Sequence, residues 1–170
     1  SGTEEVTTAA DDDLPGRWFT WWDPDHLVEV VGSAGFDVHQ VEVAPLAEGH
    51  PPRIDVTATA RRALPDHVRA GLRLLCCGLN PSLHAADAGV GYVTPSNRFW
   101  PALAAAGLAT RDRDPRHLAR VDGIGMTDLV QRPTARADEL HADEYRAGVA
   151  RLERLCRWLE PRALAVVGLA

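Results

Sequence analysis

Two short runs, Leu72 to Cys77 and Ala163 to Val167, are apolar throughout but for Arg73. A strand with one wet face alternates apolar and polar residues. An unbroken apolar run of this length predicts a strand covered on both faces, the habit of parallel sheets. Between the two runs lie two helical patterns. Asn97 to Gly107 follows a Pro95-Ser96 entry, and Tyr145, Val149, Leu152, Cys156 and Leu159 recur at spacings of four, three, four and three before Glu160-Pro161. Strand, helix, helix, strand predicts an α/β fold with a parallel sheet and crossover connections. Met126 to Val130 reads as a further strand or a tight turn, and residues 108–122 as a charged connection holding at most a short helix.

The first third reads differently. Residues 1–13 are acidic and small, and predict a disordered leader. In residues 14–62, Asp23 is placed to cap a helix with Pro24 at its first position and Leu27, Val30, Val31 and Ala34 as its apolar stripe. Gly35 stops that helix, Phe36 to Val43 reads as a strand, and Ile54, Val56, Ala58 and Ala60 alternate along a second one. Residues 63–71 read as a linker to a second domain over residues 72–170.

Composition excludes several chemistries. The 170 residues are 45% hydrophobic, enough for a core, yet no stretch approaches the roughly 20 apolar residues that cross a bilayer. No signal peptide or presequence is recognisable, and the missing initiator Met predicts an excised, processed or incomplete chain. The chain has no lysine, which removes Schiff-base chemistry, a Walker-A phosphate site and a lysine base. Cys76, Cys77 and Cys156 match no metal-binding spacing, so buried reduced thiols in an intracellular protein are expected, with no metal and no cofactor. Residues 1–70 carry a net charge of −8 and residues 71–170 a net of +2, so only the first part argues against a polyanionic partner. Arg146, Arg151, Arg154 and Arg157 read as a solvated helix face, with DNA phosphate contact as the alternative. His84 reads as an exposed loop residue.

The first apolar run ends in Gly78-Leu79-Asn80-Pro81-Ser82, and ligands of open parallel sheets bind beyond such strand ends. Gly78 permits close approach of backbone to a ligand. Pro81 fixes its own φ and restricts Asn80, whose neutral amide can orient a water without removing its proton. Gly89, Gly91 and Tyr92 then read as a flexible loop with one aromatic face. A strand-terminating Asn-Pro turn with Tyr92 as surface padding fits the same residues.

The stretch GLNPSLHAADAGVGYVTPSNRFW resembles the first active-site segment of the mismatch-specific uracil-DNA and thymine-DNA glycosylases, and GIGMTDLVQRPTARADEL is similar to their second stretch. The resemblance covers residues 71–170. It implies a three-layer α/β/α domain that removes a flipped uracil or thymine from G:U or G:T mismatches in base excision repair. Asn80 takes the catalytic position, orienting the attacking water. Tyr92 would stack on the base, Gly78 and Leu79 would wall the pocket, and backbone groups at Pro81 and Ser82 would read the base edge. Asn97 falls near the base or phosphate, and Asp128 at a variable pocket position. The implied partner is double-stranded DNA carrying the mismatch, bound by a monomer in the cytoplasm at the nucleoid, with no membrane. Without lysine, the enzyme is expected to leave the abasic site uncut. Ser82 stands where the family usually has Gly. A further Asn-Pro-Ser loop, which fills the gap left by the base, would lie beyond Val167, so weak cleavage by these residues alone is expected.

Residues 14–62 are similar to the closing helix and strands of class I S-adenosylmethionine-dependent methyltransferases, without the glycine-rich cofactor loop. A methyltransferase-related fusion whose second domain only binds DNA is therefore the alternative reading.

Overall fold

The structure, a computed structural model, describes residues 6–8, 18–20, 22–45 and 52–168. It divides into two compact units, Ser1–Arg61 and Arg62–Ala170. Most of the expected leader lies outside the described residues. Within it, β1 (Val6–Thr8) pairs antiparallel with β2 (Trp18–Thr20).

The rest of the first unit follows its local sequence signals. Helix α1 (Pro24–Ser33) starts where Asp23 accepts hydrogen bonds from the Asp25 and His26 backbone N–H groups at 3.0 and 3.1 Å. Strands β3 (Phe36–Ala44) and β4 (Arg53–Ala60) form an antiparallel ribbon with an irregularity between Val38 and Gln40. Arg61 closes the unit by donating to Asp37 at 2.7 Å and to the Gly32 carbonyl at 3.1 Å.

The second unit is built on a three-stranded parallel sheet. β5 (Leu74–Gly78) lies in the centre, between β6 (Ile124–Asp128) and β7 (Leu164–Val166). Leu74 pairs with Ile124 and Gly78 with Asp128 along one side, and Leu75 with Leu164 along the other. The central strand β5 is covered on both faces, as its apolar run requires, but β7 is not: Leu164 and Val166 are 44% and 53% exposed. Cys76, Ile124 and Met126 pack with Trp100, Leu103 and Leu118 on one face. Leu75 packs with Leu72, Leu155 and Leu159 on the other. The helices of the first face are α3 (Phe99–Ala105) and α4 (Pro115–Arg120), and α5 (Ala142–Leu159) covers the second. Trp100 is 1% exposed, and its indole N–H donates to the Gly91 carbonyl at 2.9 Å. Burying a side chain of that size is worth about 3–5 kcal/mol by truncation.

Two local expectations change. Residues 83–88, read as loop, form a short helix, α2 (Leu83–Ala88), because the Ser82 hydroxyl accepts from the Ala85 N–H at 3.1 Å and Gly89 ends it at φ 65°. His84, still exposed, therefore sits on a helix. The stripe of α5 agrees only in part with the one read in the sequence. Leu159 is buried and Leu152 and Cys156 pack against the same cluster, but Gly148 and Leu155 are buried where Val149 is 48% exposed. A Cβ at Gly148 would overlap the Leu129 carbonyl oxygen, so glycine lets the helix lie directly on the chain after β6. No helix among the described residues is long and apolar enough to cross a membrane.

Candidate active site

Asn80 leaves the end of β5 with its side chain already committed. Its amide nitrogen donates to Thr134 Oγ1 at 2.7 Å and faces the carbonyls of Pro81 and Arg132 at 3.2 Å each. Carbonyls only accept, so this end of the amide must be the NH₂ group. Oδ1 is thereby turned the other way, with no partner among the described residues. The clamp comes from the second sequence motif. Thr134, buried, returns a backbone N–H to the Pro81 carbonyl at 3.2 Å, and its own carbonyl accepts from Leu83. Arg132 is in turn fixed by a two-pronged bond to Glu144 in the first turn of α5, at 2.7 and 2.9 Å. That bond, chiefly, pushes the Glu144 carboxyl down to about 2.

Asn80 lines a cavity of about 240 Å³ beyond the carboxyl ends of β5 and β6. At ~30 Å³ per liquid water this is room for roughly eight waters, or one small flat ring. Pro81, Ser82, Tyr92, Asn97 and Asp128 line it too, so six of the eight residues singled out in the sequence meet there. Gly78 and Leu79 do not line it. Their carbonyls accept from Leu129 and Val130 at 2.9 Å and carry the β5–β6 ladder past the strands. Gly78 acts beneath the floor instead. A Cβ there would overlap Asp128 Oδ1 and stand 2.6 Å from the Tyr92 hydroxyl.

The walls have distinct chemistry. Tyr92 stacks one face on Phe99, with ring centroids 4.2 Å apart, and holds a left-handed backbone at φ 56°. Such a conformation costs a non-glycine residue about 1–2 kcal/mol. Its hydroxyl is buried without a hydrogen bond, and burial followed by the nearby Asp128 raises its pKa. Asn97 Oδ1 accepts from the Phe99 N–H at 2.9 Å, which starts α3. The Ser82 side chain caps α2, and the carbonyls of Pro81 and Ser82 already accept backbone N–H groups from Thr134 and Ala86. Asp128 is pushed up to about 7, first by desolvation and then by Asp66, against the opposing pull of Arg151.

Three residues here were not foreseen. Asp66 and His67 lie in the stretch read as a linker, and both line the cavity. Asp66, its side chain 2% exposed, accepts from the Thr127 hydroxyl at 2.8 Å and binds Arg151. Arg151 also reaches Thr127 Oγ1 and the Asp128 carbonyl, both at 3.3 Å. Its side chain is 12% exposed, so it does not belong to a solvated arginine face; Arg146 and Arg157, each 73% exposed, do. His67 exchanges backbone bonds with Met126 at 2.9 and 3.0 Å, and burial chiefly lowers its pKa. Its Nε2 is buried without a partner. The available sequence signal was an Asp-His pair set between apolar Leu64 and Val68, which is unusual for a solvated linker.

A family model of the uracil DNA glycosylase superfamily matches residues 65–170, well over half of the chain. The chain belongs to that superfamily. The match begins at Pro65 and takes in Asp66 and His67. The superfamily assignment also accords with the parallel sheet flanked by helices. Burial pushes the Cys76 thiol up to about 11 and the Cys77 thiol up to about 12.

Proposed function

We propose that this chain is a monofunctional DNA glycosylase that removes uracil, and thymine, from mismatches with guanine, working on bases flipped out of the duplex. The observation that carries this reading is the fixed amide of Asn80, its nitrogen held by three acceptors and its Oδ1 left for a ligand at the cavity. Departure of the base breaks the C1′–N1 bond, the electron pair leaving with the base and positive charge growing on the sugar. Asn80 Oδ1 accepts a hydrogen bond from water and aims its lone pair at C1′. Water oxygen bonds to that carbon, its proton passes to solvent, and the departing base takes up a proton. An amide supplies position without accepting charge, which suits a step limited by bond breaking. Tyr92 offers an aromatic wall to the base, and these residues supply no lysine amine for a lyase step.

The test is a duplex with one uracil opposite guanine, incubated with the protein and then treated with alkali. Slow strand breakage is expected, and Asn80→Ala should reduce its rate by about 100-fold, the usual cost of a lost positioning group. An undiminished rate in that variant would remove Asn80 from the chemistry.

For the first unit, we propose that helix α1 and the β3–β4 ribbon derive from the closing elements of a methyltransferase-like domain. Their order, helix then antiparallel pair, supports this. Calorimetric binding of S-adenosylmethionine is expected to be absent, and its presence would favour the methyltransferase-related alternative.

A further inference from the structure

The side chain that aims the water has two ways to sit. An amide turned end for end exchanges its oxygen and nitrogen with little change of shape. With Oδ1 at the cavity, Asn80 accepts a water proton and leaves the water's lone pair free for C1′. With the NH₂ group there instead, the amide engages that lone pair and turns it from the sugar. The rate therefore depends on what holds the nitrogen end away from the cavity.

Three acceptors meet that nitrogen, and they are not equivalent. Thr134 Oγ1, at 2.7 Å, is a hydroxyl, which can serve either end of an amide. The Pro81 carbonyl, at 3.2 Å, belongs to the same turn and moves with Asn80. The Arg132 carbonyl, also at 3.2 Å, is the acceptor-only group supplied from outside that turn. It stands between two ladder bonds. The Val130 N–H donates to the Leu79 carbonyl at 2.9 Å, and the Thr134 N–H to the Pro81 carbonyl at 3.2 Å. Between these bonds the backbone bends at Arg132, and Pro133 has no N–H to give. The Arg132 side chain pins the bend. It donates to both carboxylate oxygens of Glu144, at 2.7 and 2.9 Å, and to the Glu139 carbonyl at 2.8 Å. Glu144 is itself fixed by the His141 N–H at 2.9 Å, where α5 begins. Neither Arg132 nor Glu144 lines the cavity.

We propose that Glu144 is a positioning residue: acting through Arg132, it holds the Arg132 carbonyl against Asn80 and so keeps Oδ1, not the NH₂ group, at the cavity. This rests on the glycosylase reading and adds the group that selects the working orientation of its amide. The Arg132 and Glu144 side chains are 45% and 25% exposed, so their pair contributes geometry more than stability. The two-pronged form sets that geometry, since a planar fork fixes direction where a point charge does not.

The test compares Glu144→Gln, Arg132→Met and the double variant, each in the whole chain. In cleavage of a duplex with one uracil opposite guanine, each single variant should lose about tenfold in kcat with KM unchanged. The double variant should lose no more than either, because both cut the same link. A role limited to capping α5 would instead leave Glu144→Gln harmful in the Arg132→Met background. By NMR, the Asn80 side-chain NH₂ pair, identified by its disappearance in Asn80→Ala, should exchange with water at least about tenfold faster in each variant than in the wild type. Melting temperatures should fall by no more than about 4 °C. Arg132→Lys, which keeps the charge but not the fork, gives the same reading should either variant unfold. Amide exchange unchanged by the substitutions overturns the assignment, and so do additive losses in the double variant. Cleavage with unchanged exchange sinks the role of Glu144 alone. Accelerated exchange in a chain that cleaves no uracil duplex upholds that role and sinks the glycosylase reading alone.

Discussion

Replacing Arg151 by methionine should destabilise the second unit by about 3–5 kcal/mol, because it strands a buried carboxylate. The Asp66 side chain is 2% exposed, and Arg151 is its charge partner, the Thr127 hydroxyl being neutral. Methionine matches the length of the arginine stem, so little packing is lost and the penalty is electrostatic. Domains of this size are stable by about 5–15 kcal/mol, so the loss removes a large share of the total. It should lower Tm by about 12 °C or more, at roughly 4 °C per kcal/mol. Urea unfolding followed by circular dichroism gives the free energy directly. The reasoning is completed by the double variant Asp66→Asn with Arg151→Met, in which no charge remains to strand. Its loss should be smaller than that of Arg151→Met alone, a sign reversal that an ordinary packing defect does not produce. A loss below about 1 kcal/mol for Arg151→Met, or a double variant worse than either single one, would refute the argument.

Gly78→Ala should cost about 1–3 kcal/mol in unfolding experiments, because the new methyl displaces Asp128 and Tyr92, and uracil binding should fall at least about tenfold. Normal binding in that variant would show that the floor tolerates a methyl group. Glu160 ends α5 in a left-handed conformation, at φ 46° and ψ 52°, so Glu160→Gly should stabilise the protein by about 0.5–1 kcal/mol, visible as a rise in Tm of a few degrees. A fall in Tm would mean that the exposed side chain contributes more than the backbone strain takes away.

Strand β5 was legible because a strand covered on both faces needs an unbroken apolar run, and α5 because its stripe persists over four turns; the run Ala163 to Val167 does form a strand, but Leu164 and Val166 stay exposed. What escaped was set by tertiary contact. Helix α2 has only six residues, several of them alanine, and depends on one serine cap. The stripe of α5 was only partly right because Arg151 looks polar, although it lies between Gly148 and Leu155 on the core-facing side. Nothing local marks an arginine whose partner is 85 residues away. At the site, both motifs were visible, but not that Thr134 and Arg132 of the second hold the amide of the first. Ser82, which stands where the family usually has glycine, serves as a helix cap.

The reciprocal pair of backbone bonds between His67 and Met126 has a consequence for how molecules of this chain can meet. Strand β6 lies at one margin of the sheet, and these bonds occupy its midpoint. A foreign strand cannot dock there without first peeling away the segment that supplies Asp66 to the cavity. That margin is thus sealed against edge-to-edge aggregation by residues of the binding pocket itself, and stress that loosens the pocket should also expose a sticky border.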